Sequence, residues 1–353
     1  MKKCILLSMT ILMAITTTAQ DKTISFTNKA VFTQSGSGSI TQFIALLPIP
    51  QTNEYQTISN LSVNEGETVE DKNYGNTMLY FSDDKLPQNP FELSSTFDVT
   101  PKVIDIDLSK ITDFKDYDPD SEPCKRHLGN RGAYIDTSNS YIVETGDKLW
   151  AESENVLDYA RRCYEYVASN FDYIHGSWRT LSEILELKGG ECGDLSTVVI
   201  NLLRYKGIPS RHNICIRHDE VGYHVWVDFY LEGYGWIPLD ATYKHNNPSG
   251  DYFGKYDGNC IVLAQDIQYD LSDKIIDTLF MNQVCAYWYW YSGSSCSLAL
   301  DHVMQNNGAT GIASFRKPQY DDSCIYNLKG QKVNADYKGI VILNGKKVIV
   351  KHN

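Results

Sequence analysis

Cys192 lies in the run Gly189-Gly190-Glu191-Cys192-Gly193-Asp194, directly ahead of an apolar, helix-forming stretch from Leu195 to Lys206. A glycine turn that delivers a cysteine to a helix start sets the sulfur among unpaired backbone N–H groups at the positive end of the helix dipole. Such surroundings lower a thiol pKa and favour the nucleophilic thiolate. Downstream, His224 opens a strand-like run to Leu231, and Asp240 follows Gly235 and the run Trp236-Ile237-Pro238-Leu239. Cysteine, histidine and aspartate together supply a nucleophile, a base and a group to orient that base. The chemistry implied is attack on an acyl carbonyl: Cys192 forms a thioester, His224 shuttles the proton and Asp240 fixes the imidazole tautomer. The backbone N–H of Cys192 is the natural first oxyanion donor, and Trp178 or Tyr173, upstream of the helix, is a candidate for the second. Gly190, Trp226 and Trp236 are candidates for the walls of a substrate groove.

Each assignment competes with a plainer one. Asp228 rivals Asp240 as the orienting carboxylate, and seven other histidines (127, 175, 212, 218, 245, 302 and 352) compete with His224. A metal site built from Cys192, His212, His218 and His224 lacks any Cys-x-x-Cys or His-x-x-x-His pair, so neither a metal nor another cofactor is expected.

Four segments carry a family resemblance. Gly190-Glu191-Cys192-Gly193-Asp194, Leu203-Arg204-Tyr205-Lys206-Gly207-Ile208-Pro209-Ser210-Arg211, His224-Val225-Trp226-Val227 and Gly235-Trp236-Ile237-Pro238-Leu239-Asp240-Ala241-Thr242 resemble, in order, the core of the bacterial transglutaminase-like superfamily. The resemblance spans roughly Trp150 to Tyr243. It implies a papain-like α+β core with Cys192 as nucleophile, His224 as base and Asp240 as its partner. It leaves the reaction open, because the superfamily includes acyl-transferring crosslinkers, peptidases, deglycosylating amidases and members without activity. The expectation is a cysteine enzyme acting on an amide of a peptide or protein substrate, plain or glycosylated, by hydrolysis or acyl transfer. A catalytically silent peptide- or glycan-binding protein and a glycopeptide amidase are the alternatives.

The elements around these residues follow from periodicity. Val156, Ala160, Cys163, Val167 and Phe171 share a helical face, and Thr180-Leu181-Ser182-Glu183 has the form of a capping box. Gly207 and Pro209 should end the Cys192 helix. Strands are expected near Arg211–Arg217, His224–Leu231 and Trp236–Thr242, giving helices first and strands after, an α+β arrangement. Before this core, residues 20–112 alternate apolar and polar positions between turn clusters, as in Phe91, Leu93, Ser95, Phe97 and Val99, and read as a β-sandwich domain. Residues 113–149, rich in Asp, Pro, Gly and Asn, read as a linker; the acidic run Asp116–Glu122 lacks the ligand spacing of a calcium loop. The catalytic core then occupies 150–262, a β-rich extension 263–323 and a β-tail 324–353, which resembles carboxy-terminal tails of secreted Bacteroidetes proteins. Five consecutive aromatics, Tyr287 to Tyr291, read as a strand buried on both faces rather than as a stacking surface.

Composition narrows the partners. Lys2 and Lys3, the apolar run Ile5–Ile15 and the small residues Thr17-Thr18-Ala19 read as a signal peptide, residues 1–19. That apolar run is too short to cross a hydrocarbon layer of about 30 Å, so no integral membrane segment is expected after cleavage. Export to the periplasm, cell surface or medium follows. Beyond Lys2 and Lys3 the chain has 30 basic and 44 acidic residues, a net charge of −14, which disfavours nucleic acid as a partner. Eight cysteines lie past the signal segment (124, 163, 192, 215, 260, 285, 296 and 324). With Cys192 free, an odd number remains, so at least one more thiol stays unpaired. Cys163, inside a helix pattern, is the candidate buried thiol, and Cys285 with Cys296 a candidate bridge.

Overall fold

The computed structural model describes residues 23–176, 179–218, 222–275 and 285–308, together with the strand backbones at 314–316, 325–327, 332–333, 339–343 and 346–350. The expected signal segment and Trp178 lie outside the described residues. The architecture is α+β: a mixed core flanked by β-rich regions.

The amino-terminal strands build two facing sheets. Ile24–Ser35 pairs antiparallel with Phe91–Pro101 on one side and Ser297–Asn306 on the other. In the second sheet Ser39–Ile49 lies between Thr77–Asp83 and Ala286–Ser292. The sandwich therefore combines amino-terminal strands with Ala286–Ser292, Ser297–Asn306 and Ser314–Arg316 from the extension read at 263–323, whereas Ile267, Tyr269 and Leu271 pack in the core. Strand edges demand this. Left alone, Ile24–Ser35 and Ser39–Ile49 would each expose a row of unpaired backbone groups. Alternation in a sequence reveals a strand but not its neighbour.

Phe32, Phe43, Leu47, Phe91 and Leu93 fill the sandwich interior, with the Phe32 and Phe43 rings edge-to-face at 4.9 Å. From Phe43 to Ile49 the strand Ser39–Ile49 is buried on both faces, because Ile44 and Leu46 turn the other way into the mixed core. That shared wall explains its unbroken apolar run. Leu46 alone, fully buried, contributes about 1.5–3 kcal/mol.

The strand of consecutive aromatics is an edge, not an interior strand. Tyr287 and Tyr289 pack on the sandwich interior and Trp288 on the catalytic core, whereas Trp290 and Tyr291 are exposed. Both faces are covered only at its start. The 324–353 segment holds its own antiparallel sheet of four strands, with Ile325–Asn327 and Gly339–Leu343 at the centre.

The core centres on the helix Cys192–Tyr205, buried along its whole length from Cys192 to Arg204. Helices Ser140–Ala151, Val156–Asn170 and Leu181–Leu187 surround it, and a four-stranded antiparallel sheet closes the remaining side, in the order Gly235–Leu239, Gly222–Leu231, Ser210–Arg217, Cys260–Gln265. Both expected helix signals operate. Thr180 and Glu183 form the capping box, and Gly207, at φ +72°, turns the chain out of the central helix.

Helix Ser140–Ala151 was not anticipated; it begins inside the stretch read as a linker. Its Val143, Thr145 and Gly146 are poor helix formers. Gly146 is required by packing instead, since a Cβ there would lie 2.6 Å from the Tyr205 ring. Tertiary contact, not propensity, makes this helix.

Candidate active site

Cys192 is the first residue of the central helix, 9% exposed. The two glycines before it are not a left-handed turn. Gly189–Gly190 is a short strand running parallel to Asp172–Tyr173, with Ile174 N–H donating to the Gly190 carbonyl at 2.9 Å. The left-handed residue is Lys188, at φ 50°. The glycines are needed for close approach: a Cβ on Gly189 would stand 2.5 Å from the Asp172 carbonyl oxygen, and one on Gly190 2.3 Å from Asp194 Cβ. Gly190 is thus wedged under the nucleophile helix.

Asp194, two residues into the helix, anchors this approach. Its carboxylate accepts the Glu191 N–H at 3.0 Å and the Arg179 Nη1 at 2.7 Å, with both side chains of the ion pair buried. Burial raises its pKa to about 6, against the opposing pull of Arg179 and the Glu191 N–H. Sequence reading placed Asp194 in a motif but gave it no task, and nothing local pointed to Arg179.

His224 projects from the strand Gly222–Leu231, directly across the ladder from Cys215. Its Nε2 lies 2.5 Å from Asp240 Oδ2, and its ring is hydrogen-bonded to the Cys192 side chain. With Nε2 committed to Asp240, Nδ1 is the nitrogen left for the sulfur. Asp240 follows the strand Gly235–Leu239 as the N-cap of a short helix, Ala241–Asn246, where a continuing strand was expected. One oxygen accepts the Tyr243 N–H at 2.9 Å while the other holds the imidazole. Asp-x-x-Tyr with an N-cap aspartate was the signal available for this turn.

The electrostatics favour a charged imidazole. Burial pulls His224 down, yet the Asp240 charge and hydrogen bond, aided by Cys192, hold it well above the ordinary histidine value. Tyr243 lies flat on the ring, centroids 4.6 Å apart and planes 7° off parallel. Sequence analysis did not single out Tyr243. A cavity of about 280 Å³ opens against this group; His224, Asp240, Trp226, Tyr243, Tyr256 and Cys260 are among its walls.

The remaining candidates separate. Trp226 is a buried cavity wall, in contact with Tyr55 and Tyr256. Trp236 is not: it pairs with Tyr230, four residues along the strand from Trp226, with its ring 3.9 Å from the Arg211 guanidinium and edge-on to His127. Tyr173, half-buried, meets His175 edge-on. Asp228, the rival carboxylate, pairs with Arg211 at 3.0 Å and accepts the Tyr55 hydroxyl. His212 bonds Thr197 and His218 bonds the Gly258 carbonyl, so neither converges on Cys192. Cys285 and Cys296 are separate thiols rather than a bridge, and Cys163 is a buried free thiol.

The profile of the Transglutaminase-like superfamily matches residues 144–241, from within the Ser140–Ala151 helix to just past Asp240. The chain carries a transglutaminase-like superfamily domain. A proposed cysteine protease from Cytophaga hutchinsonii superposes with a TM-score of 0.52 at 17% identity, over 83% of this chain and 94% of that one, so the two share a fold. The periplasmic domain of TgpA from Pseudomonas aeruginosa aligns at 12% identity and a TM-score of 0.34, over 63% of this chain and 88% of that one. No curated sequence matches the chain. The transglutaminase-like domain thus includes Cys192, His224 and Asp240, while the sandwich lies largely outside the profile. Among the described residues no helix is long and apolar enough to cross a membrane.

Proposed function

We propose that this protein is a cysteine enzyme that opens an amide bond of a peptide or protein through a thioester on Cys192. The observation that supports it is the continuous chain of contacts from the Cys192 thiol through the His224 imidazole to the Asp240 carboxylate. A charged imidazole beside the sulfur favours a thiolate electrostatically and is placed to protonate a departing amine. Cys192 attacks the carbonyl carbon, the carbonyl oxygen turns toward the N–H groups at the helix start, and the tetrahedral species collapses as His224 protonates the departing amine. Water or a second amine then attacks the thioester, with His224 taking its proton. Asp240 holds the ring by one oxygen throughout while its other oxygen remains on the helix cap.

In this reading the cavity beside His224 receives the amine side of the substrate, because the group exchanging protons with the imidazole must lie against it. Aromatic rings from Trp226, Tyr243 and Tyr256 offer apolar faces there. The proposal includes export, resting on the character of residues 1–19.

Cys192→Ala should abolish amide turnover in a screen of peptide, glutamine-donor and glycopeptide substrates while leaving the circular dichroism spectrum unchanged. Iodoacetamide should label wild-type Cys192 far faster than a free cysteine peptide. Equal alkylation rates would overturn the reading.

A further inference from the structure

Two strands of the core sheet bring a pair of sulfurs to one face, behind the imidazole. On the strand Ser210–Arg217, Cys215 faces His224 on one side and Val262 on the other; Cys260 pairs with Arg217. Residues 260 and 262 lie on the same face of their strand, so Cys215 and Cys260 are diagonal neighbours on one face of the sheet. Both are buried in one cluster with Tyr55, Trp226 and Tyr256, and the Cys260 thiol adds to burial in holding the Cys215 thiol up. Other buried thiols find different partners: Cys163 bonds Tyr159 and its own backbone, and Cys285 the Ala286 carbonyl at 3.5 Å. Two thiols set diagonally on one sheet face can bond once their strands draw together.

Access is the second observation. Cys260 is one of the walls of the cavity that His224 and Asp240 also line, while Cys215 lies behind it at 0% exposure. An electrophile that fits the cavity meets one sulfur of the pair, with the other diagonal to it on the same face of the sheet. The ladder has a register shift between Ile214 and Cys215, so the backbone departs from regular pairing where the two strands must draw together.

We propose that Cys215 and Cys260 are a redox-active dithiol, which a small-molecule disulfide entering the cavity converts to a Cys215–Cys260 bridge. The Cys260 sulfur attacks one sulfur of the reagent; the reagent S–S bond breaks and one thiol leaves, carrying the Cys260 proton. The Cys215 sulfur then attacks the Cys260 sulfur of the mixed disulfide and expels the second thiol, carrying the Cys215 proton. Two protein thiols are oxidised and one reagent disulfide is reduced. Burial pushes the Cys215 thiol up, so its thiolate is scarce and the second step is slowed. The product bonds the strand that pairs with the His224 strand to the strand of the cavity wall.

This inference does not rest on Cys192 being a nucleophile, and its test removes that residue. Cys192→Ala protein, as the full chain, is incubated with 2,2′-dithiodipyridine, unfolded, alkylated and digested with trypsin. Peptides 212–217 and 256–274, which contain Cys215 and Cys260, should appear joined in most chains and separate again on reduction. In Cys192→Ala/Cys260→Ala, with an unchanged circular dichroism spectrum, Cys215 should stay free and be alkylated after unfolding. Recovery of both peptides from Cys192→Ala unjoined, or of either joined to a different cysteine peptide, would overturn the proposal.

Discussion

Among the described residues two buried carboxylates hold histidines, and they do opposite things to them. Asp240 grips His224 and drives the imidazole well above its ordinary pKa. Asp266 touches two imidazoles, His127 Nδ1 at 2.8 Å and His212 Nδ1 at 3.5 Å, yet burial holds both of those histidines below theirs. The difference is the cation. Arg204, fully buried, reaches Asp266 at 2.6 Å and helps keep that carboxylate ionised against burial, well below the usual range. With its charge already answered, Asp266 has little left for an imidazole, and the arginine repels a second positive charge. Among the described residues Asp240 has no ion-pair partner except His224, so the histidine becomes the counter-charge. One network is a sealed structural knot joining the central helix, the sheet and the helix Glu122–His127; the other faces a thiol and a cavity. A carboxylate–histidine contact is therefore poor evidence of chemistry until the rest of the charge is counted.

The comparison breaks most sharply at the carboxylates themselves. Asp240→Asn should lower kcat/KM for amide turnover by on the order of 10³–10⁴, with the fold retained and the His224 titration displaced downward by NMR. Asp266→Asn should leave kcat/KM within about threefold of wild type while lowering the urea midpoint, because it strands Arg204. If the two variants reduced kcat/KM equally, the distinction between the regions would be lost. Arg204→Met sharpens the contrast from the other side. It should destabilise the fold by about 3–5 kcal/mol in urea titrations. In the surviving native state, His127 or His212 should titrate upward, as the abandoned carboxylate recruits an imidazole.

How far the sequence discloses this depends on whether the deciding contact is local. The Cys192 helix start, its stop at Gly207 and the Thr180–Glu183 box were readable because each is a few residues long. Motif order selected the cysteine, histidine and aspartate that the fold brings together. Asp266 and Arg204 were invisible as a pair, separated by 62 residues with no pattern linking them. Helix Ser140–Ala151 escaped because Gly146 answers to Tyr205 across the core, and the extension strands escaped because pairing with Ile24–Ser35 and Ser39–Ile49 is a property of the ladder. Trp236 was misplaced for the same reason. Spacing along one strand says which face a ring shares, not what lies above it.

A third carboxylate tests whether a cation always wins. Asp194 has a buried arginine, yet its pKa rises to about 6, so burial exceeds what Arg179 and the Glu191 N–H return. Between the unfolded value near 4 and that raised value, the native state keeps a proton the unfolded chain has released. Stability should therefore fall as pH climbs through this window, by about 2–3 kcal/mol from this group, and level off above it. The contribution of His224 has a different window: it is present below about pH 6.5 and is lost as pH rises through the elevated native value. Urea titrations of wild type and Asp194→Asn between pH 4 and 7 separate the two, since only the wild type should show the Asp194 slope. Parallel curves would show that Arg179 balances Asp194 as fully as Arg204 balances Asp266.

The smallest effect concerns what lies above the charged ring. Tyr243 covers one face of His224, and the Arg217 guanidinium stands 5.4 Å over the tyrosine. A flat aromatic face stabilises an imidazolium modestly and limits how far the ring can swing from the line between Cys192 and Asp240. Tyr243→Leu should cost roughly three- to tenfold in kcat/KM and draw the upper limb of its pH profile downward, because part of the support for the charged form is gone. Tyr243→Phe retains the face and should recover both. A leucine variant with reduced activity but an unmoved pH profile would mean that Tyr243 only packs, leaving Asp240 as the sole source of the charge that sets this histidine apart from His127 and His212.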